Sequence, residues 1–182
     1  LIIALGALIM IGGYFFQLWR IDLEAPQYPE GLSMQIWVNK LTGDVDKING
    51  LNHYIGMKLI HEKDFIEFKV MPWLLASMIG LGLITALANR RWFLWGYLLF
   101  MLAVLTIGIY DFWAWEYDYG HNLNPEAAIK IEGMSYQPPL IGYKQLLNFL
   151  AGSLPDVGAY FVFAGGIAIA FVLFYEQFLR KK

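Results

Sequence analysis

The sequence predicts an all-α membrane protein: four transmembrane helices carrying an ordered extracytoplasmic cap made of two long loops with short helices and a possible short strand. Three observations lead there. Hydrophobic residues make up 58% of the 182-residue chain and charged residues only 15%, whereas a soluble domain carries about a quarter charged residues. Four apolar segments recur, each about 18–23 residues long, enough to cross a hydrocarbon core of about 30 Å. The basic residues are also segregated. Arg90-Arg91 and Arg180-Lys181-Lys182 flank the apolar runs on one side, and the long connections are acid-rich.

The elements follow in chain order. Leu1–Trp19 carries no charge. The first residue is Leu1 rather than Met, so a short start is expected to be missing. Leu18-Trp19-Arg20-Ile21-Asp22 offers no small-residue cleavage pattern, so the run reads as a retained anchor. The first outer loop covers residues 20–70. Within it Ser33–Leu41 alternates as a short strand does, Thr42-Gly43-Asp44 reads as a turn, and Asp46 is placed to N-cap a short helix that Asn49-Gly50 interrupts. A helical pattern resumes from Leu51 to Ile60. The second span is Met71–Ala88, with Pro72 at its start, where a missing N–H costs least. Asn89-Arg90-Arg91 then forms a tight antiparallel turn into the third span, Trp92–Asp111. The second outer loop covers residues 112–156: Trp113–Pro139 is irregular, and Ile141–Leu150 is amphipathic enough to lie along the membrane surface. The fourth span is Val157–Leu179. The chain is thus expected to be one membrane domain over residues 1–182.

The positive-inside rule puts both basic clusters, and with them both termini, in the cytoplasm of a bacterial inner membrane. The two loops then face the periplasm. Trp19, Trp73, Trp92, Trp95, Trp113 and Trp115 fall near span ends, as an aromatic belt should.

Several chemistries are excluded. The absence of cysteine removes disulfides, thiolate metal sites, iron–sulfur clusters and covalent haem. No span contains histidine, so a b-type haem lacks ligands. There is no P-loop, dinucleotide fingerprint, GxSxG or HExxH, so no nucleotide cofactor and no enzyme acting alone is expected. A net charge of −2 without a basic stripe argues against nucleic acid. Spans without central charges disfavour a transporter.

The candidate chemistry lies in the outer loops, where all three histidines fall. His53, Met57 and His61 have helical spacing along one face, and His121 and Met134 are available from the second loop. Imidazole with thioether is a ligand set suited to copper. On a continuous helix His53 and His61 stand about 12 Å apart, so convergence requires a break, for which Gly56 is the place. The alternative is that the histidines are surface residues and Met57 is packing. Asp111, Glu116 and Asp118, at the outer end of the third span, read either as a cation or proton entry site or as acids in an interfacial belt.

Four stretches carry a family resemblance: Ala25-Pro26-Gln27-Tyr28-Pro29-Glu30-Gly31-Leu32, Ile48-Asn49-Gly50-Leu51-Asn52-His53-Tyr54-Ile55-Gly56-Met57-Lys58, Gly120-His121-Asn122-Leu123-Asn124-Pro125 and Pro138-Pro139-Leu140-Ile141-Gly142. The chain resembles an uncharacterised family of small inner-membrane proteins from Bacteroidota and relatives, associated with gene clusters for nitrous oxide respiration and copper handling. The resemblance implies a periplasm-facing accessory role in the maturation of a respiratory copper enzyme, with copper as transient cargo and a larger membrane or periplasmic protein as partner. The other expectation is a redox-silent structural subunit of a membrane oxidoreductase or transporter.

Overall fold

The computed structural model describes residues 1–129 and 131–179, the last two by backbone alone. It overturns the all-α expectation. The two outer segments do not remain helical loops but join in one five-stranded antiparallel sheet. Strands β1 (Trp19–Ala25), β2 (Tyr28–Ile36) and β3 (Leu41–Gly43) come from the first segment, and β4 (Gly142–Leu146) and β5 (Phe149–Pro155) from the second. The order is β3-β2-β1-β5-β4. β1 lies at the centre, with Ile21 opposite Met34 on one side and Ser153 on the other. Its sequence explains the placement: Trp19, Ile21, Leu23 and Ala25 alternate with Arg20, Asp22 and Glu24, the period of a half-buried strand.

Ile141–Leu150, expected as a surface helix, is instead the β4–β5 hairpin. It turns at Leu147-Asn148, with Leu147 at a φ of 54°. Pairing of β5 with β1 buries Ala151 and Ser153 completely. An isolated amphipathic helix would bury one face only, against lipid.

Among the described residues five α-helices accompany the sheet: α1 (Ile2–Ile9), α2 (Val45–Ile55), α3 (Glu67–Ala88), α4 (Arg91–His121) and α5 (Val157–Phe174). Three of these are long and apolar enough to cross a membrane: α3, α4, and α5 with its π-helical continuation to Gln177. The four-span expectation is corrected at the N-terminal run. Leu1–Trp19 is helical only over Ile2–Tyr14, its second half being a 3₁₀ turn, and Trp19 already belongs to β1. The cause is local. Phe15 and Phe16 both donate to the Gly12 carbonyl, closing the helix, and the Leu18 and Gln17 carbonyls accept from Asp156 and Gly158. Those bonds tie the chain to the start of α5 rather than to another helical turn. The short helix still packs in the bundle, close against α5: a Cβ on Gly165 would stand 2.3 Å from the Met10 Cε.

Two other boundaries move. α2 runs straight through Asn49-Gly50, because Ile48, Asn52 and Ile55 bury one face. Asn49 is held by its side chain, which accepts from the Ile60 N–H at 2.7 Å and donates to the Ile60 carbonyl at 2.9 Å. Asp44, not Asp46, precedes the helix, and Gly56 ends it at a φ of 81°. α4 runs ten residues beyond the expected span; at 31 residues it is about 46 Å long. Its outer third leaves the apolar run and packs into the sheet domain.

Two cores result. One lies within the bundle, around Met10, Leu75, Met78, Tyr97, Met101 and Ile169, and receives Val38 from the β2–β3 turn. The other lies between the sheet, α2 and the end of α4, around Ile21, Leu32, Met34, Ile48, Ile60 and Tyr119. α1, α3, α4 and α5 all meet the sheet domain at the same end. The α3–α4 turn, with Arg90-Arg91, is at the other.

Candidate functional site

The outer end of α4 presents two opposite faces, because residues three and four apart share a side of a helix. On one face Phe112, Trp115, Glu116 and Tyr119 enter the sheet-domain core. Trp115 rings stack with Phe112 and lie against Phe65 and Tyr119. Trp115 and Trp19 are therefore core residues of the cap; Trp19 donates its indole N–H to the Ser153 hydroxyl at 2.8 Å. On the other face Tyr110, Trp113, Tyr117 and His121 form an exposed ladder of rings. Successive centroids are 6.0, 5.4 and 4.0 Å apart.

Glu116 is the unusual member of the inward face. It is 0% exposed, and neither carboxylate oxygen has a hydrogen-bond partner among the described residues. It lies beyond the apolar stretch of α4, at the level of the sheet, where burial pushes its carboxyl up to about 8; Lys144 offsets that only in part. The Lys144 ammonium is engaged elsewhere, donating to the Gln137 carbonyl at 3.0 Å. Beside Glu116 is a cavity of about 50 Å³ with almost wholly apolar walls, among them Ile21, Met34, Ile48, Met57 and Tyr136. Tyr136 is 1% exposed, and its hydroxyl is likewise unpartnered among the described residues. Gly120 brings it there: the Tyr136 N–H donates to the Gly120 carbonyl at 2.9 Å. The two backbones run so close that a Cβ on Gly120 would stand 2.4 Å from the Gln137 Cα.

The three acids at this end of α4 do not act as a group. Asp111 is exposed. Asp118 forms an ion pair with Lys58 at 2.6 Å and accepts from the Asn122 amide. These bonds, the Lys58 one first, hold its carboxyl below the usual range. Glu116 alone turns inward.

The histidines and methionines are also dispersed. The helix that would carry His53, Met57 and His61 on one face stops at Ile55. His53 and His61 are exposed, whereas Met57 packs into the cap core and lines the cavity. His121 is exposed at the end of α4, with Nδ1 3.0 Å from the Tyr117 carbonyl oxygen. Met134 is half-buried in a turn closed by its own N–H on the Ile131 carbonyl. Among the described residues no three His, Asp or Glu side chains stand together as a metal centre.

Sequence reasoning missed the inward role of Glu116 and the whole contribution of Tyr136. For Glu116 a signal existed: it shares the spacing of Phe112, Trp115 and Tyr119. Tyr136 carried none, since its place depends on the contact with Gly120. Comparison with protein-family models, with curated proteins and with solved structures finds no match.

Proposed function

We propose that this chain is a redox-silent accessory subunit of a larger membrane assembly, its sheet domain held outside the cytoplasm. The single observation that carries the reading is the exposed ladder Tyr110–Trp113–Tyr117–His121. It climbs about 16 Å along α4, from the apolar stretch to the top of the cap, so lipid headgroups can cover only its lower rungs. Tyr and Trp on a rigid helix supply contact area at small entropic cost and are enriched at the centres of protein interfaces. The occupant is then the extracytoplasmic part of a membrane-embedded partner. The basic Arg90-Arg91 turn, at the far end of the bundle, supports placing that end in the cytoplasm of a bacterial inner membrane and the sheet domain in the periplasm. The test is purification from native membranes under mild detergent. The reading expects a partner at fixed stoichiometry that is lost in a Trp113→Ala/Tyr117→Ala variant that still folds. A monodisperse, partner-free protein from the same extraction would sink it.

Copper handling in the cap, the role that the resemblance implies, is the second reading. One observation favours it: the Asn124 and Ile129 N–H groups donate to the Gly56 and Tyr54 carbonyls at 2.7 and 2.9 Å, so the chain leaving His121 runs alongside the end of α2 that bears His53. Imidazoles presented there would take up copper ions transiently at the surface. Copper titration of wild type against a His53→Ala/Met57→Ala/His61→Ala variant and against His121→Ala decides it. Equal, weak binding by all three would retire the idea.

A further inference from the structure

The cap core contains a feature that neither a docking subunit nor a copper carrier requires. A carboxyl group and a phenol hydroxyl, both fully enclosed and both without partners among the described residues, stand at one cavity. Buried polar groups are almost always hydrogen-bonded, and an orphaned one carries the full cost of desolvation. A core selected only for stability would place Leu or Met at position 116, as it does at the neighbouring wall positions Leu23, Met34 and Leu51. The walls are contributed by β1, β2, β4, β5, α2, α4 and the segment around Tyr136, so the cavity sits where most of the cap elements meet and is not a surface dimple.

We infer that this cavity is a binding site for a small uncharged molecule, an amide or alcohol with a short apolar body, whose polar end pairs with Glu116 and Tyr136. The chemistry of the two groups selects this class. A neutral carboxyl both donates and accepts, as does a phenol, so the complementary group is one that also does both. An amide or hydroxyl qualifies, whereas a ketone or an ether satisfies only donors. A charged ligand is disfavoured, because burial keeps Glu116 neutral at neutral pH and the walls offer no other charge. Size sets a second limit. Room for one water needs about 10–15 Å³ by this measure, so 50 Å³ accommodates roughly three to five non-hydrogen atoms. A ligand of three to five such atoms binds at best with a Kd between about half a millimolar and a few micromolar, the ceiling set by its atom count.

Two methionines make the test direct, since Met34 and Met57 line the cavity while Met10, Met78 and Met101 lie in the bundle core. The full chain, labelled with ¹³C at the methionine methyls and reconstituted in nanodiscs, is titrated with propionamide and followed by NMR. The expected result is a saturable shift of the Met34 and Met57 signals, with Met10, Met78 and Met101 unmoved. Glu116→Leu is expected to weaken the midpoint at least tenfold, and Ile48→Phe, which fills the space, to abolish it. The unmoved bundle methyls report in each variant that the protein is folded. No saturation up to 100 mM (more than about ten-thousandfold above the ceiling for a five-atom ligand) would overturn the inference. So would equal binding by wild type and Glu116→Leu, or shifts spread evenly over all the methionines, which is partition into apolar surroundings and not recognition.

Discussion

The bundle core and the cap core are built from similar side chains, yet two of their buried polar groups are held in opposite ways. In the bundle the Tyr97 hydroxyl is buried and donates to the Met78 carbonyl at 2.7 Å. In the cap the Glu116 carboxyl is buried to the same degree and donates to nothing among the described residues. The difference follows from the two solvents. A group facing hydrocarbon finds no partner outside the protein and must be satisfied within it. The cap lies beyond the apolar stretches of α3, α4 and α5, and a carboxyl can be taken from solvent into such a core as the neutral acid. Order inside the bilayer is enforced by the medium, whereas the orphan in the cap has to be retained against a cost.

The contrast can be broken or sharpened by experiment. The largest effect is expected at the closest contact of the bundle. Gly165→Leu places a side chain where Met10 and the Gly6 carbonyl already stand and should abolish folding or cost more than about 3 kcal/mol; thermal unfolding in detergent measures it. Next, Glu116→Leu should stabilise the cap by about 1–3 kcal/mol, the penalty of an unsatisfied buried polar group, read as a higher denaturation temperature or slower amide exchange in β1 and β5. A loss of stability in that variant would mean the carboxyl has a partner after all.

The pH dependence is a third test, and its sign follows from the weakened acidity of the buried carboxyl. Folded Glu116 holds its proton up to about 8, whereas the unfolded chain releases it near 4.5. Its proton uptake on folding makes stability fall as pH rises from about 4.5 to about 8, with a slope of up to about 1.4 kcal/mol per pH unit. Below that window the stability is fully present, and Glu116→Gln should flatten the slope. Asp118, held low by Lys58, has the opposite sign: its stability is present at neutral pH and lost as acid protonates it. A smaller effect is expected from Tyr97→Phe in the bundle, about 0.5–1.5 kcal/mol of destabilisation for one hydrogen bond. The smallest is expected from Leu147→Gly, which relieves a positive φ in the β4–β5 turn and should stabilise by about 0.5–1 kcal/mol.

What the sequence made legible was set by range. The apolar runs behind α3, α4 and α5 were readable, since membrane crossing needs only local length and hydropathy. The sheet was not. β1 begins at Trp19, the last residue of an apolar run, so that run masks the start of its alternation. Its partner β5 lies more than a hundred residues away, and nothing local announces such a pairing. Tyr143, Gln145 and Asn148 against Leu146, Leu147 and Phe149 suit a surface helix and a hairpin alike, and only the buried partner β1 decides between them. At the candidate site the fault lay in stopping the third span at Asp111. With α4 ended there, Phe112, Trp115, Glu116 and Tyr119 belonged to a loop and shared no face. The histidine spacing misled for the converse reason, a helix continued past the glycine that stops it.

α4 contains no proline, and it passes through both cores as one unbroken helix. Helical residues advance by about 100° each, so the bundle's grip on Tyr97 and Met101 fixes the angular phase of everything above. Turned by a single residue, the shaft would withdraw Glu116 from the cap and drive Tyr117 into its place. A roll of this helix is therefore geared directly to whether an acid 15 to 19 residues away is dry or wet. Adding or deleting one residue between Leu105 and Asp111 throws that gear out of mesh without touching either core.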